Sequence, residues 1–183
     1  MAKVYFLRHG SFKSIPNNEF GGKLTSVGRS KAKKVHNLLK EKGVDSIYSS
    51  PCLWTIETVE ELAMTLDKEI NIVDDFNERL LSGSQADYDR DMIEKLWSDW
   101  DFSFEGGESN FIAQSRAVKQ LDTILKESKD ETFVVSTHGH LITLILNHFD
   151  KRIGYEFCNA LKEPDLIYAE FEEGKMTDFR RMI

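Results

Sequence analysis

Two histidines in this chain sit in the same setting. His9 follows Arg8 and precedes Gly10, and His138 precedes Gly139. Each ends a short apolar run, 3–7 (KVYFL) in one case and 132–135 (TFVV) followed by Ser136 and Thr137 in the other. An imidazole with one nitrogen fixed by a hydrogen bond and the other neutral and open can attack phosphorus. A guanidinium beside it can neutralise and orient the oxyanion through two hydrogen bonds. Two imidazoles and a guanidinium in one cleft suit a tetrahedral phosphoryl group. An isolated Arg-His-Gly also occurs as an ordinary loop, and a lone histidine past a strand as a backbone-bonded core residue, so the weight rests on the pairing.

The elements around these residues decide whether they meet. Short runs rich in Val and aromatics and bounded by glycine read as buried strands of a parallel sheet. Ligands of open α/β sheets bind outside the carboxyl ends of the strands, which would bring His9 and His138 to one place. After the first strand comes a loop with Pro16, Asn17, Asn18, Gly21 and Gly22. Thr25 is a cap for a helix over 26–42, ended by Gly43. A short strand at 46–48 follows. Ser50 and Pro51 read as N-cap and first residue of the next helix, whose stripe is Ile56, Val59, Leu62, Ala63 and Leu66. Residues 69–73 alternate as a strand. Residues 74–108 are acidic, hold Trp97, Trp100, Phe102 and Phe104, and end in Gly106-Gly107-Glu108-Ser109. They are expected to carry one helix near 88–97 and to act as a lid over the sheet. Helices over 110–126 and 140–149 flank the second histidine strand. A hairpin of 166–172 and 175–180 turns at Glu173-Gly174. Strands alternating with helices predict an α/β fold, a sandwich around a mostly parallel sheet.

Composition narrows the function. The chain has 183 residues, 40% of them hydrophobic, which suits one globular domain over 1–183. The net charge of −7 leaves no basic stripe for nucleic acid, while a local positive pocket for a small phosphorylated substrate remains compatible with it. No apolar run has the length of a membrane span, and 4–7 is too short for a signal peptide, so a cytoplasmic protein is expected. The two cysteines, Cys52 and Cys158, read as reduced thiols. Neither begins a Cys-x5-Arg loop, which excludes a cysteine phosphatase. Asp99-Trp100-Asp101 has the spacing of an aspartate-nucleophile loop but follows a polar helical stretch rather than a strand. His138-x-His140 has a metal-site spacing but lacks carboxylate partners nearby.

Read in order, the motifs Lys3 to Gly10, Leu24-Thr25-x-x-Gly28, Ser49-Ser50-Pro51 with Glu57-Thr58, Asn77-Glu78-Arg79, Gly107-Glu108-Ser109 and Ser136-Thr137-His138-Gly139 resemble the histidine phosphatase superfamily, the phosphoglycerate-mutase-like proteins, over most of the chain. The resemblance implies a three-layer α/β/α fold, a metal-independent and cofactor-free phosphatase, and His9 as the nucleophile that becomes phosphohistidine. Arg8 and His138 then bind the transferring phosphoryl group, and Glu78 stands where the family places its general acid. That role asks for a raised pKa, which burial under the lid would supply. Glu108 is the second choice for the acid, or else a cap of the helix that follows. Gly139 opens a helix whose N-terminus adds backbone N–H groups for phosphate. Ser11 stands where the family often has Glu or Gln and is a further phosphate donor or a plain loop serine. The pattern departs from the family once. Three residues after Pro51 the family has a second phosphate-clamping arginine, and here Trp54 stands there. Arg79, Lys13 and Lys23 are candidate substitutes. The resemblance thus leaves an impaired phosphate-binding or regulatory protein, or a mutase, as alternatives to the phosphatase. Oligomeric state has no sequence signal.

Overall fold

The structure is a computed structural model. It describes residues 1–16, 18–82 and 90–183, with Glu19 and Arg90 described as backbone only. Among the described residues, a six-stranded sheet carries the chain. Its strands are β1 (Ala2–Arg8), β4 (Ser46–Ser49), β5 (Ile70–Ile72), β6 (Thr132–Thr137), β7 (Asp165–Glu172) and β8 (Lys175–Arg181), in the order β5-β4-β6-β1-β7-β8. The pairs β5–β4, β4–β6 and β6–β1 are parallel; β1–β7 and β7–β8 are antiparallel. The sheet is therefore mostly parallel with an antiparallel edge.

The alternation of side chains along the central strands builds two cores. Val4 and Phe6 of β1, with Phe133 and Val135 of β6, pack beneath α4 (Asn110–Glu127) and α5 (Gly139–Phe149). Tyr5 and Leu7, with Val134 and Ile47, pack beneath α1 (Ser26–Leu39) and α2 (Leu53–Leu66). This is the expected three-layer sandwich, and it explains why KVYFL and TFVV show no polar face: both faces are covered. Phe6 and Phe133 are 0% exposed, and burying each contributes about 1.5–3 kcal/mol.

Several local expectations are corrected. The stretch after Gly10 is not a plain loop. It forms a hairpin of β2 (Phe12–Ile15) and β3 (Asn18–Leu24), with a register irregularity between Lys13 and Ile15. Helix α1 ends at Leu39, short of residue 42, and Gly43 adopts φ +66° just beyond it. Helix α2 starts at Leu53 with Cys52 as N-cap, not with Ser50 and Pro51, because the Ser50 hydroxyl is drawn towards His138 instead. Strand β5 is the three-residue core of the expected 69–73. The lid helix α3 runs Arg90–Ser98; its expected start at 88 lies outside the described residues. A short helix α6 (Tyr155–Ala160), absent from the sequence reading, precedes β7. The β7–β8 turn at Glu173 and Gly174 has φ of 50° and 76°, the left-handed pair of a tight hairpin. No helix among the described residues is long and apolar enough to cross a membrane.

Candidate active site

Strands β1 and β6 are neighbours in register, Arg8 opposite Thr137. The helix after β1 lies on one face of the sheet and the helix after β6 on the other. This divergence opens a crevice at the carboxyl ends of the two strands. The backbone N–H of His9 donates to the Thr137 carbonyl at 3.1 Å, and the His9 and His138 rings face each other with centroids 5.2 Å apart at 68°.

The two imidazoles are held differently. His9 Nδ1 lies 2.9 Å from its neighbour's carbonyl, Gly10 O. A carbonyl only accepts, so Nδ1 carries the proton and Nε2 keeps its lone pair. Burial, the largest influence, pushes the His9 pKa below its usual value, although the Gly10 carbonyl and the Glu163 carboxylate pull the other way. His138 is bonded through Nε2 to the Ser50 hydroxyl at 2.9 Å, and burial holds its pKa down at about 3. Both rings are neutral at pH 7.

The motif residues fasten the loop that carries His9. The Gly10 N–H donates to the Thr58 hydroxyl at 3.1 Å, and Glu57 accepts from Leu24 N at 2.7 Å and from Arg29 at 2.7 Å. Thr25 caps α1 by accepting from Gly28 N. A Cβ on Gly28 would stand 2.1 Å from the Ser11 carbonyl, so only glycine lets α1 approach the loop so closely. The Ser11 hydroxyl is bonded to Thr25 Oγ1 at 3.2 Å, which ties it to the cap rather than leaving it wholly for phosphate.

Arg8 lies beside Gly139, where a Cβ would come within 3.1 Å of its Nε. Its Nη1 donates to Leu161 O at 2.7 Å and its Nη2 to Glu163 Oε1 at 2.6 Å, while the buried Nε has no partner among the described residues. Neither Leu161 nor Glu163 had a signal in the sequence. They arrive from the segment between α6 and β7, over 150 residues away along the chain, through the antiparallel pairing of β7 with β1.

Glu78 reaches the same crevice, in a form opposite to the expectation. Its Oε1 accepts from Arg79 N at 2.9 Å and Leu141 N at 3.0 Å, and its Oε2 from His140 N at 3.3 Å. Desolvation by the surrounding protein raises its pKa, but His140, His138, the Arg79 N–H and His9 outweigh it, and the net shift is downward. Two of the three donors belong to the first turn of α5, whose positive end favours the carboxylate. Glu78 therefore rests ionised.

Glu108 neither caps α4, which Ser109 does through Ile112 N, nor faces an open cleft. It is forked onto Arg116, Nε to Oε1 at 2.7 Å and Nη2 to Oε2 at 2.8 Å. Arg116 was missed from sequence. It also donates to the carbonyls of Asp75, Asn77 and Glu78 at 2.6, 3.0 and 3.1 Å, and so anchors the loop that carries Glu78.

Trp54 stands where a clamping arginine was sought. Its ring centroid is 6.1 Å from each of His9 and His138, and it stacks on Phe12 at 4.1 Å and 7°. It is 8% exposed, and its indole N–H is buried without a partner among the described residues. Of the named substitutes, Arg79 turns Nη1 to Asn110 Oδ1 at 2.7 Å and Nε to Glu108 O at 3.0 Å, while its Nη2 is buried without a partner among the described residues. Lys13 and Lys23 lie opposite each other across the exposed hairpin. Trp97 does not open towards a substrate ring but packs on Trp100, His140 and Tyr155. Among the described residues no three His, Cys, Asp or Glu side chains converge as a metal-ligand set.

The family model for the histidine phosphatase superfamily, branch 1, matches residues 4–174. The chain belongs to this superfamily. Solved structures of the same fold include Bacillus stearothermophilus YhfR, with 21% identity, 96% of this chain and 94% of that one covered, and a TM-score of 0.79. A phosphoserine phosphatase of Entamoeba histolytica aligns with 22% identity, coverage of 98% and 96%, and a TM-score of 0.78. A mycobacterial glucosyl-3-phosphoglycerate phosphatase aligns with 16% identity, coverage of 98% and 96%, and a TM-score of 0.73. No curated protein matches the sequence. Membership of the histidine phosphatases, with phosphatases among the fold neighbours, supports a phosphoric monoester hydrolase.

Proposed function

We propose that the chain hydrolyses a small phosphomonoester through a phosphohistidine on His9. The observation that carries this reading is the His9 tautomer. Its Nδ1 proton is held by Gly10 O, which leaves the Nε2 lone pair for phosphorus. In the first step the Nε2–P bond forms and the ester P–O bond breaks. Arg8, through its unpartnered Nε, and His138 bind the non-transferring oxygens. The leaving oxygen takes a proton from Glu78. An incoming phosphoryl dianion opposes the ionised form of Glu78 and so prepares it as the acid. In the second step water attacks phosphorus, the N–P bond breaks, and Glu78 takes the proton from that water. The chemistry needs no metal. A cytoplasmic location fits this reading.

The test is turnover of an aryl phosphate with chelator present, comparing the native chain with His9→Ala. We expect chelator-resistant release of phosphate that vanishes in the variant. Phosphoryl transfer to an added alcohol in preference to water would replace the hydrolase with a mutase.

Trp54 favours a second reading, a phosphate-binding or regulatory protein with negligible turnover. Absence of hydrolysis in the native chain from mildly acidic to mildly alkaline pH, with retained binding of inorganic phosphate, would establish it.

A further inference from the structure

The charges around the crevice cancel pair by pair. Arg8 is held by Glu163 at 2.6 Å and Arg116 by Glu108 at 2.7 Å. Arg79 feels the carboxylates of Glu78 and Glu108, with Nε on Glu108 O, Nη1 on Asn110 Oδ1 and a buried Nη2 that has no partner among the described residues. The second clamp of the family pattern is the uncharged Trp54. Lys31, at the rim, is exposed and donates to the backbone carbonyl of Glu163 at 3.3 Å. A phosphoryl dianion entering this crevice finds donors but little surplus positive charge.

Glu163 is also placed unlike a mere brace for Arg8. Its side chain is 37% exposed, and Oε1 alone holds the guanidinium. Among the described residues no donor binds Oε2. The carboxylate is close enough to the nucleophile to act on the His9 charge. An open carboxylate oxygen thus sits at the rim of a phosphoryl site, on the far side of the arginine that binds phosphate.

We propose that the crevice selects phosphomonoesters that carry their own cation, an ammonium on a short chain from the ester oxygen, with Glu163 receiving that ammonium. The seat of the phosphoryl group on His9, Arg8 and His138 is taken from the phosphatase reading. Such a substrate is a zwitterion, so its net charge matches a balanced crevice better than a simple dianion does. The ammonium restores the positive charge that Trp54 does not supply. Glu163 then bridges a guanidinium on one oxygen and an ammonium on the other.

The test uses phosphonates, whose P–C bond this chemistry does not cleave, so binding is read without turnover. Calorimetry compares 2-aminoethylphosphonate with propylphosphonate, which has the same chain of heavy atoms, on the native protein and on Glu163→Gln. The amino compound should bind the native protein about tenfold more tightly, the scale of one charge-assisted contact. Glu163→Gln should remove that preference and leave propylphosphonate binding unchanged or tighter. Equal binding of the two compounds to the native protein, or no binding of either, overturns the inference. So does an equal loss for both in the variant, which would make Glu163 a positioning residue for Arg8 only. Hydrolysis of ethanolamine phosphate, followed in parallel, separates the two readings: a binding preference without any turnover removes the phosphatase and keeps the selectivity.

Discussion

At the scale of single residues, the site is a contest between charge and burial. Glu78 is the clearest case, because burial alone would have raised its pKa and made it a ready acid. His140 and His138, with the Arg79 N–H and His9, win instead. Its contribution should therefore depend on how much help the leaving group needs. Glu78→Gln should slow hydrolysis of an alkyl phosphate by about 10²–10⁴-fold and that of a nitrophenyl phosphate much less, since nitrophenolate leaves unprotonated. Equal losses on both substrates would show that the substitution has disturbed the cleft rather than removed a proton donor. Trp54 poses the complementary question. A charge-assisted hydrogen bond is worth about 1.5–3 kcal/mol, so Trp54→Arg should raise kcat/KM on a simple dianionic phosphomonoester by about 10–200-fold. Loss of the Phe12 stack is expected to lower the melting temperature, and a thermal melt run beside the kinetics keeps the two effects apart. An unchanged rate in a folded variant would mean that the crevice already supplies all the donors the dianion uses.

At the scale of elements, the reach of each interaction along the chain decides what the sequence reveals. The two histidine strands were legible because a fully buried parallel strand leaves a continuous apolar run, and their shared endings put His9 and His138 together. Thr25, Gly28, Glu57 and Thr58 were legible as a motif series, and the structure gives each a hydrogen bond or a close approach that explains it. Glu163 and Arg116 were not legible. Each acts on a segment remote in sequence, and neither lies in a periodic or turn pattern that would mark it. The β2–β3 hairpin was missed because Phe12-Lys13-Ser14-Ile15 does not alternate apolar with polar residues and the Pro, Asn and Gly content around Phe20 reads as a loop. Arg116 makes the point testable. It joins α4 to the Glu78 loop through a planar fork and three carbonyls, a geometry lysine cannot copy. Arg116→Lys should cost about 1–3 kcal/mol for each carbonyl left unsatisfied in a closed environment, read by urea unfolding. It should lower kcat more than it raises KM, because Glu78 rather than the phosphate seat is released. A proportional rise in KM with kcat intact would place Arg116 in substrate binding instead.

At the scale of the whole molecule, the cost of building this crevice appears in its response to acid. Two neutral histidines are packed where the sheet, α2 and α5 converge, and the unfolded chain offers both of them water. His138 has a folded pKa of about 3 against about 6.5 in an unfolded chain. Between those two values the unfolded chain binds a proton that the folded protein refuses, so acid favours unfolding throughout that interval. The stabilisation is complete above about pH 6.5 and is lost progressively as pH falls towards about 3. His9 shifts in the same direction. Glu78, also depressed, adds a second loss that begins only near the ordinary carboxylate range. The melting temperature should therefore start to fall just below about pH 6.5, about two units earlier than carboxylates alone would cause. His138→Gln keeps a polar group within reach of Ser50 but has no proton to bind. Its melting temperature should fall less steeply from about pH 6.5 to about pH 5 than that of the native protein, whatever its value at neutral pH, with the His9 share of the loss remaining. Parallel curves for the two proteins would assign the acid limb to groups other than His138.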